Sequence, residues 1–199
     1  SKLKTMFKKV LIAEDFDSIN IALIQTLESI GVQEIHHAKY CDDALLKLKK
    51  ALHDNVPYDL LISDLSFETD YRTVIIPIGE ELIAATRKLM PELPILVYTL
   101  EDKPFVIKTL VEDLKINAFV HKGRNSISQL KTAMETILFN GKFISQNVVQ
   151  LINDSTLNDL GDYDVIVLQE LANGVSIDEM EQLLKLKNIT PKSFVIAMS

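Results

Sequence analysis

The chain has one cysteine, Cys41, in 199 residues. That excludes an internal disulfide framework and suits a reducing compartment. No apolar run is long enough to cross a bilayer, and no signal-peptide pattern stands at the start, so a cytoplasmic protein with no membrane partner is expected. There is no glycine-rich phosphate loop and no convincing Ser-His-Asp set, which leaves a metabolic α/β enzyme without a substrate-binding signature. Positive charge is scarce at one end. Residues 151–199 hold three basic side chains (Lys185, Lys187, Lys192) against eight acidic ones, whereas residues 1–150 hold 18 basic and 20 acidic. A nucleic-acid-binding segment usually carries a basic face, and this composition argues against one.

What is present is the make-up of a folded protein, with 47% hydrophobic and 25% charged residues and a net charge of −7. Disorder would need fewer apolar residues and more net charge. The length suits one domain of ordinary size and a smaller second one.

Strand-like and helix-like segments alternate. Short apolar runs at 8–14, 58–63, 94–99 and 117–122 read as buried strands, and 33–38 as a weaker one. Amphipathic helices are expected over 17–31, 42–54, 80–90, 103–115 and 126–139, the first stopped by Gly31. Between the third strand and the third helix lies a long irregular stretch, 64–79. Five β/α units of this kind predict an α/β fold, a five-stranded, doubly wound parallel sheet covered on both faces. Residues 140–160 are rich in Asn, Gly and Ser and read as a linker with room for one short helix. Beyond them, two short helical patterns joined around Gly174, and a third opening at Thr190-Pro191, predict a small all-α segment.

In a doubly wound sheet, loops at the carboxyl ends of the strands build the functional site. Those ends are polar here: Glu14-Asp15 after the first strand, Asp64 after the third, Thr99 at the fourth and Lys122 at the fifth. Three carboxylates brought together raise one another's pKa unless a cation compensates. Oxygen ligands and a compact, high charge favour Mg²⁺. A lysine and a hydroxyl beside them make sense if a phosphoryl group also arrives, since both can neutralise or bind its oxygens. Any one of these residues is an ordinary cap or turn former by itself. The weight rests on the ordered set of five.

That set, on a five-fold β/α pattern, resembles the receiver domain of two-component response regulators over about residues 7–139, a flavodoxin-like fold. The resemblance implies that Asp64 is the phosphoacceptor. It implies that Asp15, Asp64 and the backbone carbonyl of Ser66 bind Mg²⁺, with Glu14 acting through a water. Lys122 would pair with the phosphoryl oxygens, Thr99 would hydrogen-bond to them on activation, and Phe119 would be the aromatic switch residue. Phosphorylation would then bias a two-state surface formed by the fourth helix, fifth strand and fifth helix. This sequence departs from the pattern in four places. The stretch between Asp64 and Thr99 is longer than usual. Ser66, Phe67 and Glu68 replace a Met-Pro-Gly turn, Leu100 stands where a smaller residue is common, and Gly123 replaces a proline after Lys122.

The segment 167–184 resembles the first two helices of a LuxR-type helix-turn-helix, the usual output of NarL-like regulators, through Leu168, Leu171, Ala172, Gly174, Ser176, Glu179 and Leu184. GKFIS at 141–145 is similar to the linker such proteins place before it, and 185–188 reads as a short insertion. The expected organisation is a receiver over 1–139, a linker over 140–160 and an incomplete LuxR-like helix-turn-helix over 161–199. Where a recognition helix should offer Arg, Lys, Asn or Gln to DNA, the sequence reads SFVIAMS. A LuxR-type domain needs that helix complete and a fourth behind it, so either the chain is truncated or the segment is a remnant used for protein contacts.

The implied function is phosphorylation-dependent signalling: phosphate from a histidine kinase or phosphotransfer protein, and transcriptional control through the LuxR-like output. The chemistry would be limited to the protein's own phosphorylation and dephosphorylation, so it is not expected to be an enzyme with a separate substrate. DNA would be a partner only of the intact protein, and a homodimer is within expectation. The alternative is a receiver-type interaction module whose acidic tail acts through protein partners, including a degenerate receiver that keeps the fold alone. Three further groups resolve to structure. His36 and His37 alternate faces of a strand and cannot easily share a metal. Glu80-Glu81 suit a helix N-terminus. Cys41 and the methionines suit packing.

Overall fold

The alternating pattern becomes one parallel sheet in the computed structural model, which describes residues 7–15, 17–67 and 78–150. In chain order the elements are β1 (Lys9–Ala13), α1 (Asp17–Ser29), β2 (Glu34–Ala38), α2 (Cys41–His53), β3 (Leu60–Ser63), α3 (Gly79–Leu89), β4 (Ile95–Thr99), α4 (Pro104–Glu112), β5 (Ala118–His121), α5 (Ser126–Leu138) and β6 (Phe143–Ile144). The sheet order is β2-β1-β3-β4-β5-β6, and every neighbouring pair is parallel.

The inner strands β1, β3, β4 and β5 are mostly apolar because both faces are covered. Residues of β3 and β4 are buried throughout, as expected of a sheet flanked by helices on each side. Successive side chains point to opposite faces. Leu11, Leu61, Ile95, Val97 and Phe119 therefore pack with Leu48 of α2, Leu82 of α3 and Leu110 of α4. Val10, Ile12, Ile62, Leu96 and Val120 pack with Leu23 and Leu27 of α1 and with Leu130 and Met134 of α5.

Helix ends follow local chemistry. Gly31 adopts φ 89°, a left-handed conformation that ends the α1 segment at little steric cost. Pro104 opens α4, and Glu80 and Glu81 occupy the first turn of α3. At the other end of α3, the Arg87 guanidinium donates to the carbonyls of Pro91 (2.6 Å), Leu93 (2.9 Å), Leu114 (3.1 Å) and Lys115 (3.1 Å). One rigid fork thus ties the α3–β4 connection to the chain leaving α4.

The sheet has six strands rather than the expected five. Residues 141–145 are not only linker: Phe143 and Ile144 pair in parallel with Ala118 and Phe119. Two apolar residues are too few to read as a strand by periodicity. What recruits them is the outer edge of β5, whose backbone groups need partners. Phe143 N donates to Asn117 O (3.1 Å) and Ser145 N to Phe119 O (2.9 Å). The buried Ser145 hydroxyl extends this pairing, accepting from His121 N (3.0 Å) and donating to Gln129 Oε1 (2.6 Å). Residues 146–150 then turn helical. Contacts along the chain divide it into two units, 1–152 and 153–199. The LuxR-like segment 161–199 lies outside the described residues, as do residues 151–160 of the expected linker.

Replacing Ser145 with Ala leaves a part-buried N–H and an amide oxygen without their partner. A loss of about 1–3 kcal/mol is expected. Thermal unfolding of the full chain should read it as a Tm lowered by roughly 2–4 °C per kcal/mol.

Candidate functional site

The strand order doubles back at β1 and β3, the switch point at which doubly wound sheets place their ligands. Polar residues just past the strands are held there by backbone bonds that continue the ladder. Glu14 N donates to Ala38 O (3.1 Å), Asp64 N to Ala13 O (2.9 Å) and Lys122 N to Thr99 O (2.7 Å). Each side chain is consequently presented from a rigid strand end rather than from a free loop.

Glu14, Asp15 and Asp64 offer one carboxylate oxygen each within 4.8 Å of one another. Glu14 and Asp64 are buried, Asp15 partly so. The Lys122 ammonium, itself buried, bridges two of them at 2.5 Å, to Glu14 Oε2 and to Asp64 Oδ2. Burial alone would lower its pKa. The hydrogen bonds and charges of Asp64 and Glu14 outweigh that and hold it above the ordinary lysine value. The Lys122 Nζ also lies 5.3 Å from the centre of the Tyr98 ring, whose hydroxyl is 2.9 Å from Ser126 Oγ at the start of α5. Asp64 Oδ1 accepts from two backbone amides, Leu65 N at 2.6 Å and Ser66 N at 3.3 Å. The carboxylate proposed as nucleophile is thus fixed by three donors.

The remaining residues of the expected set surround this centre. Thr99 is fully buried at the end of β4, and its Oγ1 accepts from Glu101 N at 3.2 Å. Phe119 is fully buried on β5, in the cluster that includes Val97 and Ile107. Ser66 is exposed beside Asp64, and Leu100 is 68% exposed. No cis peptide bond occurs among the described residues, so Lys122–Gly123 is trans. Glu68 lies outside the described residues.

One neighbour escaped the sequence reading. Gly79 N donates to Leu65 O at 2.9 Å, and a Cβ built on Gly79 would come within 2.1 Å of Asp64 O and 2.5 Å of Leu65 Cα. The first residue of α3 therefore rests directly on the Asp64–Leu65 main chain, a close approach that only glycine permits. It appeared in the sequence only as the last residue of an irregular stretch, with no motif around it.

The groups read as structural have ordinary partners. His36 Nδ1 meets the Tyr58 hydroxyl at 2.6 Å, and its Nε2 lies 3.1 Å from Glu34. His37, on the opposite face, meets the Glu14 carbonyl oxygen. Cys41 is buried, and its thiol pKa is pushed up to about 12 by burial first and then by nearby carboxylates, including Asp15 and Asp64. Two of the acids of the cluster are thus felt across the top of the sheet.

A hard divalent cation fits this arrangement. Its ligands would all be oxygens, and Lys122 offsets only one of the three carboxylate charges. Among the described residues, no helix is long and apolar enough to cross a membrane.

No protein-family model and no curated protein sequence matches the chain. Solved structures do. The isolated receiver domain of RcsB from Salmonella enterica serovar Typhimurium, with the phosphomimetic BeF3−, is 25% identical; the match has a TM-score of 0.61 and covers 74% of this chain and 99% of that one. The described residues have a receiver-like fold, a parallel α/β sheet of the kind these response regulators share. A structure of two RcsB dimers bound to two parallel DNAs matches at 23% identity and a TM-score of 0.66, over 94% of this chain and 85% of that one. A LuxR-family two-component response regulator from an Aurantimonas species matches at 18% identity and a TM-score of 0.62, over 77% and 99%. The receiver resemblance carried by the strand-end residues agrees with these neighbours, which are RcsB and LuxR-family response regulators.

Two outcomes follow from the receiver's charge balance and packing. Lys122→Met strips a buried carboxylate pair of its cation and should cost about 3–5 kcal/mol in metal-free buffer. Because the Lys122 pKa is raised on folding, its contribution is fully present below the ordinary value of 10.5 and is lost as pH rises through the higher folded value. Wild-type stability should therefore show an alkaline limb in urea titrations that Lys122→Met lacks. Gly79→Ala forces α3 away from Asp64 and should cost about 1–3 kcal/mol, read as a lower urea midpoint.

Proposed function

We propose that this chain is a phosphorylation-dependent signalling regulator whose receiver accepts a phosphoryl group on Asp64 from a histidine kinase or phosphotransfer protein. The observation that carries the reading is the rim centre itself: three carboxylates within 4.8 Å, with a buried lysine on two of them. Asp15, Asp64 and the Ser66 carbonyl are the proposed Mg²⁺ ligands, with Glu14 acting through a water. The ion would supply charge neutralisation and orientation for the incoming phosphoryl oxygens.

The protein's own residues do the rest. A carboxylate oxygen of Asp64 forms a bond to phosphorus as the donor's bond to phosphorus breaks, leaving an acyl phosphate. Hydrolysis returns the carboxylate and inorganic phosphate, so the chemistry is confined to the protein's own modification and its reversal. Lys122, already beside Asp64 Oδ2, transfers its hydrogen bond to a phosphoryl oxygen and balances the added charge. Thr99 donates its hydroxyl to another, giving up its bond to Glu101 N. Phe119 shares β5 with the strand end that bears Lys122, and its ring position would follow Thr99. A cytoplasmic location belongs to the same reading.

For output, the DNA-bound RcsB dimers support transcriptional control by a DNA-binding homodimer. The eight acidic and three basic residues of 151–199 favour a second reading, a protein partner in place of DNA. Duplex DNA binding that weakens steeply with added salt supports the first; its absence in the phosphorylated protein supports the second.

Incubation with acetyl phosphate and Mg²⁺ should add one phosphoryl group to the wild type, read by intact-protein mass spectrometry, and none to Asp64→Asn. A wild-type chain that stays unmodified overturns the phosphoacceptor role.

A further inference from the structure

Glu14 and Asp15 stand just past the last β1–β2 pair, Ala13 with Ala38. Two consecutive residues of β2 nevertheless hold the Glu14 main chain. Ala38 O accepts from Glu14 N at 3.1 Å, and His37 Nε2 lies 2.6 Å from Glu14 O. A carbonyl oxygen only accepts, so His37 Nε2 is the atom that carries the hydrogen. The direction of the Glu14 carbonyl sets the plane of the Glu14–Asp15 peptide, because that unit is rigid. That plane in turn sets where Cα of Asp15 sits and where its carboxylate can reach. Of the three acids, Asp15 is the one left partly exposed, with less packing around it to fix its position.

We propose that His37 is a positioning residue for the divalent-cation site, acting through the Glu14 carbonyl to aim the Glu14–Asp15 pair. The inference rests on the reading of that site as a Mg²⁺-dependent phosphoacceptor. His37 is not a ligand in this role. Its imidazole holds the peptide that carries two of the three acids, as outer-shell donors do at metal centres. His36 serves as an internal contrast. It sits one residue earlier on the same strand, engages Tyr58 and Glu34 instead, and has no part in the site.

The test uses Mg²⁺ alone, titrated calorimetrically into the full-chain wild type and three variants at neutral pH. His37→Gln keeps an N–H near the place of Nε2, His37→Asn carries the same amide one bond too short, and His37→Leu has no donor. The Leu and Asn variants should bind Mg²⁺ about tenfold more weakly or worse, and Gln within about threefold of the wild type. Acetyl phosphate labelling should show the same split. The Mg²⁺ concentration for half-maximal rate rises in Leu and Asn, while the rate at saturating Mg²⁺ stays near that of the wild type. A purely structural role would lower the Tm of Leu and Asn without moving the Mg²⁺ affinity. Equal Mg²⁺ affinities for Gln and Asn overturn the proposal even if Leu fails to fold. A wild type that is labelled normally while Asn and Leu bind Mg²⁺ unchanged overturns it and leaves the phosphoacceptor reading intact. A wild type that neither binds Mg²⁺ nor is labelled overturns both.

Discussion

Like charges set the terms of this structure. Two carboxylates within 4.8 Å of each other repel by about 3 kcal/mol at the effective dielectric typical of a protein surface, roughly 10 kcal/mol for three such pairs. That is as large as the whole stability of an ordinary domain, about 5–15 kcal/mol. The cluster persists because Lys122 lies 2.5 Å from two of the acids, where each contact returns about 7 kcal/mol on the same scale. Lys122 itself carries one positive charge against three acids. An all-oxygen cluster of that charge suits a divalent ion.

The rest of the receiver serves to keep those charges together. Strands buried on both faces fix the positions of their ends, and ladder bonds continue one residue further to catch Glu14, Asp64 and Lys122. Lys122 joins the two sides of the sheet in one network. Its ammonium faces the acids, while the Tyr98 ring nearby is anchored to Ser126 on α5.

The sequence made the five β/α units legible because their periods are strong: all-apolar runs of strand length alternate with helical spacing, so each buried strand announced itself. The strand-end residues were legible for the same reason, since topology alone brings Glu14, Asp15, Asp64, Thr99 and Lys122 to one rim. What escaped were features defined by backbone rather than by side-chain pattern. Phe143–Ile144 form a strand because β5 has an open edge, and no periodicity exists in two residues. Gly79 matters through what a missing methyl allows, and His37 through a carbonyl, neither of which leaves a mark in residue type. Arg87 stands in no motif, although its fork closes four carbonyls.

The hydrogen bond from Gly79 to Leu65 has a reach beyond its size. It joins Leu65, just past Asp64, to the first residue of α3. The entropy of closing a chain grows only with the logarithm of its length. With Leu65 and Gly79 joined, the length of chain between them enters that cost only weakly, so Asp64 keeps its place at the rim whatever sequence connects the two.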